Sequence, residues 1–337
     1  MQAYQVFSAK GFEDIRKIEI PQPQLASDEI LVQMRACSLN YRDLLIPQGG
    51  YLRNDNRPII PLSDGAGKIV KVGGSVKSFK IGDRVVGNFF QDWVEGLVDE
   101  KGLQTALGGG INGTLAECFV LKAQGAVRIP DQLSYEEAAT LPCAAVTAWH
   151  GLVPLGNIQK GETILTQGTG GVSIFGLQLA KALGANVIIT SSSDEKLQLA
   201  KKLGADHTIN YVKTPNWDQE VLKITDGKGV DLLLELGGEK TFEKSINATK
   251  VNGSISIIGI LSGFDIPINL TAALNVLRLN GVHVGSVEMF NAMNQVIVEN
   301  NIKPVIDKVF DFNDVLDAYR YLEAAEHFGK IVISKEP

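Results

Sequence analysis

The chain has 337 residues, 45% hydrophobic and 21% charged, an ordinary globular mix that excludes disorder as a description of the whole. Thirty-two Lys and Arg against 38 Asp and Glu leave a net charge of −6, so no basic surplus supports binding to nucleic acid or a membrane surface. There is no membrane-length apolar run, no signal-peptide pattern at the N-terminus and no CxxC spacing among Cys37, Cys118 and Cys143, so a cytoplasmic chain of about two domains without a disulfide scaffold is expected.

Up to about residue 130, short apolar runs alternate with turn signals, as in EILVQMRACSL from Glu29, GAGKIVKVG from Gly65 and GDRVVGNF from Gly82. That spacing predicts a β-rich, barrel-like domain. Residues 89–113 lack a β-pattern and read as a long loop with some helix, a length that often serves as a lid or binding loop. From Gly161 the pattern becomes strand then helix, repeated. Strands are predicted at 163–166, 187–190, 230–236, 254–258 and 282–287, and helices at 172–183, 195–203, 217–225 and 241–249. This alternation needs right-handed crossovers and a parallel sheet covered on both faces. The run 282–287 is the last of that sheet and apolar, and such an edge is normally paired or covered. A final helix at 313–325 and a strand at 330–334 return to the first domain. The fold class is α/β, with domains at 1–130 plus 288–337 and at 131–287.

The most informative stretch is TILTQGTGGVSIFGLQLAKALG from Thr163. An apolar strand runs into Gly168-Thr169-Gly170-Gly171-Val172-Ser173 and then an amphipathic helix. Gly168 permits a tight turn, and Gly170 lets the backbone approach a diphosphate on the helix N-terminus. Ser173 stands at the third glycine of the GxGxxG fingerprint, but strand, helix and continuing alternation supply the context that the motif requires. About 20 residues on, where an acid would bind both ribose hydroxyls of NAD, the sequence has Thr190-Ser191-Ser192-Ser193. Asp194 reads as a helix N-cap. Small hydroxyls leave room for a 2′-phosphate and Lys196 supplies positive charge, which favours NADPH over NADH.

The four histidines, His150, His207, His283 and His327, form no metal spacing, and GxSxG is absent. Each cysteine reads as a small buried hydrophobe. Metal: none.

Together these motifs resemble the medium-chain dehydrogenase/reductase superfamily, near its zinc-free quinone oxidoreductase branch. The resemblance spans essentially the whole chain. It rests on ACSLNYRDLLI, PLSDGAGKIVKVG, IGDRVVG, LPCAAVTAWHGL, GTGGVSIFGLQLAKALGA and HFGKIVI. It implies a GroES-like β-rich domain around an inserted Rossmann doubly wound parallel sheet. Of the three catalytic zinc ligands of the alcohol dehydrogenase branch, the matching positions hold Asn40, Ser63 (followed by Asp64) and Cys143. One ligand of three does not make a catalytic zinc site. The resemblance places Asn40 and Thr147 near the nicotinamide and Tyr51 in the substrate cleft. It places Ser192 and Lys196, beside Ser191, at the adenosine phosphate and Tyr211 at the adenine end. Gly168, Gly170, Gly171 and Val172 form the phosphate loop, and Leu236-Gly237 and Ile258-Gly259 border the nicotinamide ribose. Asp43 and Asp64 are expected to orient backbone groups. A second cleft tyrosine of some relatives is Leu45 here.

The expected function is hydride transfer from NADPH to a quinone or activated alkene without zinc, with Asn40 and Tyr51 as donors to the developing oxyanion. A zinc-free alcohol dehydrogenase or carbonyl reductase and a non-enzymatic NADPH-binding protein are the alternatives. A homodimer through the edge at 282–287 is also implied.

Overall fold

The computed structural model describes residues 1–7, 10–50, 57–263, 265, 274 and 278–335. In chain order the opening strands are β1 Gln2–Val6, β2 Ile15–Glu19, β3 Glu29–Leu39, β4 Asp64–Val72, β5 Arg84–Gly87, β6 Cys118–Lys122 and β7 Ala126–Arg128. Between them lie two one-turn helices, α1 Arg42–Leu45 and α2 Glu100–Leu103, and after them come α3 Tyr135–Ala139 and α4 Val146–Leu152. The alternating segment gives β8 Thr163–Gln167, α5 Gly171–Ala182, β9 Asn186–Ser191, α6 Asp194–Lys202, β10 His207–Asn210, α7 Trp217–Ile224, β11 Val230–Glu235, α8 Phe242–Ala248, β12 Thr249–Ile257 and β13 Arg278–Gly281. The chain closes with α9 Val287–Glu299, β14 Ile306–Asp311, α10 Val315–Glu323 and β15 Lys330–Ser334.

Two compact units result, Met1–Val146 with Val284–Pro337, and Thr147–His283. In the first, a seven-stranded sheet runs β14-β15-β3-β4-β5-β7, with β6 also on β3. Residues 131–146 pack with this unit because α3, capped at Ser134, buries Ala138 and Ala139 against β3, β4 and β15. In the second unit a parallel sheet runs β10-β9-β8-β11-β12-β13. Strand order reverses between β8 and β11, and ligands bind at the carboxyl ends of strands beside such a reversal. No helix among the described residues is long and apolar enough to cross a membrane.

Two expectations change. The sheet ends at β13, not at 282–287, where only Val282 adds a bond, to Ile257 O, before α9 begins. The apolarity of that run has another cause: Val284, Ser286 and Val287 are buried, and Val287 N–H donates to Trp93 O. The stretch 89–113, expected as a lid or binding loop, contains α2 and buries Phe89, Phe90, Trp93 and Leu107 within the first unit.

Close approach of backbones sets the first sheet. A methyl group on Gly67 of β4 would lie 2.0 Å from Gln33 O on β3. Gly67→Ala should therefore destabilise the protein by about 2–3 kcal/mol, read as a lower urea midpoint at unchanged slope.

Candidate functional site

At the carboxyl ends of β8 and β11, the second unit builds a cradle. Gly168 turns with φ +74°, and neither Gly168 nor Gly170 has any heavy atom within 4 Å of where a Cβ would stand. Gly170 precedes α5 and gives it no side-chain cap, so the first-turn N–H groups of Gly171, Val172 and Ser173 are open to an anion. Ser173 is not a failed glycine: its hydroxyl donates to Gln167 O at 2.5 Å. Close helix–strand packing, the usual role of the third glycine, falls to Gly176, whose absent Cβ would meet Leu234 at 2.8 Å.

Glu235, fully buried at the end of β11, organises the rest. Its Oε1 accepts the N–H groups of Gly237 and Gly238, each at 2.9 Å, and the Thr241 hydroxyl. Its Oε2 accepts the Gln167 amide at 2.9 Å and the Ser245 hydroxyl. Gln167 Oε1 in turn accepts from Leu236 N and Gly237 N at 3.1 and 3.0 Å. Gly259 adjoins the same turn, since a Cβ there would lie 2.3 Å from Leu236 O, and Ile258 N–H donates to Glu235 O. The structure thus gathers Leu236, Gly237, Ile258 and Gly259 around Glu235, with Gly168 next in sequence to its partner Gln167, and Glu235 is the residue that sequence reasoning missed. Its signal was an acid ending the otherwise apolar run VDLLLE. Thr147 is buried on α4.

The adenosine end is also assembled. Tyr211 N–H donates to Ser191 O, and the Asn210 amide donates to Ser192 O. The N-cap of α6 is Ser193, whose hydroxyl accepts from Lys196 N, and not Asp194. Ser193 can fold back on the helix because its backbone is extended, whereas Asp194 already lies in the first turn. Asp194 is instead held by the Asn210 amide at 2.6 Å and by the Lys213 ammonium, whose hydrogen bond keeps the carboxyl below its usual range. These residues, with open glycines and an uncapped helix, fit a nicotinamide dinucleotide.

In the first unit, register brings a second set together. β15 pairs antiparallel with β3, Ile331 opposite Leu39, and β3 with β4, Ser38 opposite Asp64. Lys330, Asn40 and Asp64 therefore share one end of three adjacent strands. The Lys330 ammonium, 3% exposed, donates to Leu39 O and to Asn40 Oδ1, each at 2.5 Å. It stands 4.0 Å from Asp64 Oδ2. Asp64 accepts the Ser63 hydroxyl at 2.7 Å and the Cys143 N–H at 3.3 Å. Asp43 Oδ2 accepts Asn40 N–H at 2.8 Å, and Arg42 donates to Leu107 O at 2.9 Å. Leu62, just before Ser63, holds φ +67°, a strained conformation for a leucine. Tight packing imposes it, since a Cβ on Gly113 would lie 2.1 Å from Leu62 O. The loop 89–113 thus supports the cluster. Tyr51 lies outside the described residues.

Burial pushes Lys330 below the ordinary lysine range, while Asp64 and Asp43 pull it back. Burial raises Asp64, with Lys330 opposing. It raises the Cys143 thiol strongly and takes Cys37 up to about 12, so both stay protonated. The site does not fit zinc: Asn40 and Ser63 are poor ligands, which leaves Cys143 alone of the three positions, and an ammonium already stands against Asp64. Among the described residues no three His, Cys, Asp or Glu side chains gather as a metal set.

Asp43 is raised to about 6, first by burial, with Arg42 opposing. A carboxyl raised on folding binds its proton more tightly in the native state, so its contribution to stability is greatest below pH 3.8 and is lost as pH rises through about 6. Asp43→Asn should flatten the dependence of stability on pH in that window, measured by urea unfolding at a series of pH values.

Two family models match, "Alcohol dehydrogenase GroES-like domain" over residues 26–131 and "Zinc-binding dehydrogenase" over 171–299. The chain is 46% identical over 331 residues to a zinc-type alcohol dehydrogenase-like protein of Schizosaccharomyces pombe, covering 96% of each. It is 33% identical to the 2-methylene-furan-3-one reductase of Solanum lycopersicum, over 97% of this chain and 77% of that one. The quinone oxidoreductase of Pseudomonas syringae pv. Tomato DC3000 superposes with a TM-score of 0.85 at 26% identity, covering 99% of both chains. With a GroES-like unit, a parallel dinucleotide sheet and these relatives, the chain belongs to the medium-chain dehydrogenase/reductase superfamily of oxidoreductases, in its quinone oxidoreductase-like branch.

Proposed function

We propose that the protein is an NADPH-dependent reductase that delivers hydride to a quinone or activated alkene without zinc. The observation that carries this reading is Asn40. Its Oδ1 is taken by Lys330, while its buried Nδ2, turned toward the Asp64 carboxylate, keeps one N–H without a partner. An amide donor held ready in a water-poor place suits an oxygen that gains charge during reaction. Acceptors that delocalise charge themselves need little more than that. The substrate named for the tomato relative, a 2-methylene-furan-3-one, is itself an activated alkene, and the Pseudomonas neighbour is named a quinone oxidoreductase.

When bound, the reduced nicotinamide supplies the hydride. The chain's own residues do the rest. The Gly168–Gly171 turn and the N-terminus of α5 hold the diphosphate, and Glu235 with Gln167 fixes the turn beside it. Hydride adds to the electrophilic carbon, the electron pair of the alkene moves to the carbonyl oxygen, and Asn40 Nδ2 donates to that oxygen, as Tyr51 would. A solvent proton then completes the saturated ketone from an enone or the hydroquinone from a quinone. Ser191, Ser192, Lys196 and Tyr211 favour a 2′-phosphate, and Lys213 offsets the charge of Asp194.

The test is oxidation of NADPH and of NADH, with chelator present, against quinones, enones and aldehydes. Turnover with quinones or enones is expected, faster with NADPH and unaffected by chelator. Asn40→Ala should lower kcat about 10²-fold with little change in cofactor affinity. Turnover of aldehydes alone would move the protein to the alcohol dehydrogenase reading, and no turnover at all would leave a cofactor-binding protein.

We also propose a homodimer. Among the described residues β13 Arg278–Gly281 ends the parallel sheet, with no strand of the described residues on its outer side. Light scattering at micromolar concentration should give twice the chain mass, and a monomer would sink this proposal.

A further inference from the structure

Nothing in the hydride-transfer reading explains why a lysine is buried in the first unit. Taking an ammonium out of water is costly unless it is paired and hydrogen-bonded. Lys330 reaches inward from β15, and its two short contacts are to oxygens of consecutive residues, Leu39 O and Asn40 Oδ1. Asp64 supplies the counter-charge at 4.0 Å, while its own oxygens accept from Ser63 and Cys143.

A side-chain amide has two orientations of nearly the same shape, related by a half-turn. Elsewhere on a protein both are often accessible. Here they are not equivalent. Lys330 only donates, so the amide must present its oxygen to it. The reverse orientation would set an NH2 group against an ammonium. The backbone of Asn40 is pinned as well, because its N–H donates to Asp43 and its C=O accepts from Asp43 N. With main chain and oxygen both fixed, Nδ2 has one place to be. That atom is buried and faces the Asp64 carboxylate, whose ionisation it eases, which leaves its second N–H without a partner.

We propose that Lys330 is a positioning residue that locks the Asn40 amide with its NH2 group aimed at the reacting oxygen of a quinone or enone. Its part in turnover rests on the reductase reading above, whereas its hold on the amide does not. Lys330 acts through Asn40 and does not touch substrate. Its ammonium also strengthens the donor, since a cation at Oδ1 draws electron density from Nδ2.

The test compares Lys330→Met, Asn40→Ala and the double variant with the unaltered full-length protein. The first readout needs no substrate. In 15N-labelled protein the side-chain NH2 of Asn40, identified by its loss in Asn40→Ala, should give one sharp pair of signals. In Lys330→Met that pair should shift or broaden. An unchanged pair would overturn the proposal, whatever the enzyme reduces. The second readout is kinetic. Lys330→Met should lower kcat for an enone about as much as Asn40→Ala, roughly 10²-fold. The double variant should be no slower than either single one, because both remove the same donor. Multiplying losses would overturn the proposal. So would a rise in the Kd for NADPH large enough to explain the loss, which would make Lys330 a cofactor contact. If the unaltered protein reduces no quinone or enone, the reductase reading fails and the NH2 signals alone decide the orientation. Should Lys330→Met not fold, Lys330→Gln offers both a donor and an acceptor, so two sets of Asn40 signals are expected and a single unshifted set overturns the lock.

Discussion

A buried ammonium is the constraint around which the first unit is arranged. Removing Lys330 from water is tolerable only if oxygens surround it, and the chain supplies them by strand register. Leu39 and Asn40 follow from the pairing of β15 with β3, and Asp64 from the pairing of β3 with β4. Further structure keeps those oxygens in place. Asp43 closes the turn at Asn40, Leu62 accepts a strained backbone so that Ser63 and Asp64 face inward, and the glycines after Leu107 pack against that strained residue.

The second unit uses the same physics with the sign reversed. Glu235 is a buried carboxyl group, and it is satisfied by donors from the two turns that a dinucleotide would meet. In both units buried ionisable side chains order a loop that regular secondary structure leaves free. Each has the same reason for precision: a buried charge tolerates few arrangements, because misplacing any partner leaves it partly unsolvated.

Much of this was legible in the sequence. β8, β9, β11 and their helices follow from apolar runs and glycine ends, and β15 matches its predicted span. β10 was missed because only Ile209 of its four residues is buried, so the run lacks an apolar signature. The segment 282–287 misled because apolarity reports burial without saying against what. In the sequence Asp194 reads as a cap because Ser and Asp both cap, and only backbone angles tell them apart. Asn40 was found through resemblance. Its partner was not, because KIVIS reads as an ordinary strand with a solvated lysine at its start. A lysine becomes unusual only when the fold places it among carbonyls, and that is a fact about pairing across hundreds of residues.

That separation has a consequence for how the chain acquires its site. Asn40 and Lys330 are 290 residues apart, and the second unit is encoded between them. On the ribosome, Asp43, Asp64 and the edge of β3 emerge long before the cation that balances them. The intervening unit, a contiguous segment, can collapse on its own while the first waits as an incomplete sheet with an open edge, a condition that invites aggregation and chaperone engagement. Chains stopped before β15 would carry a finished dinucleotide sheet and an unbalanced acidic pocket. Under the proposed reading, the contact that holds the Asn40 amide forms only once β15 has joined β3.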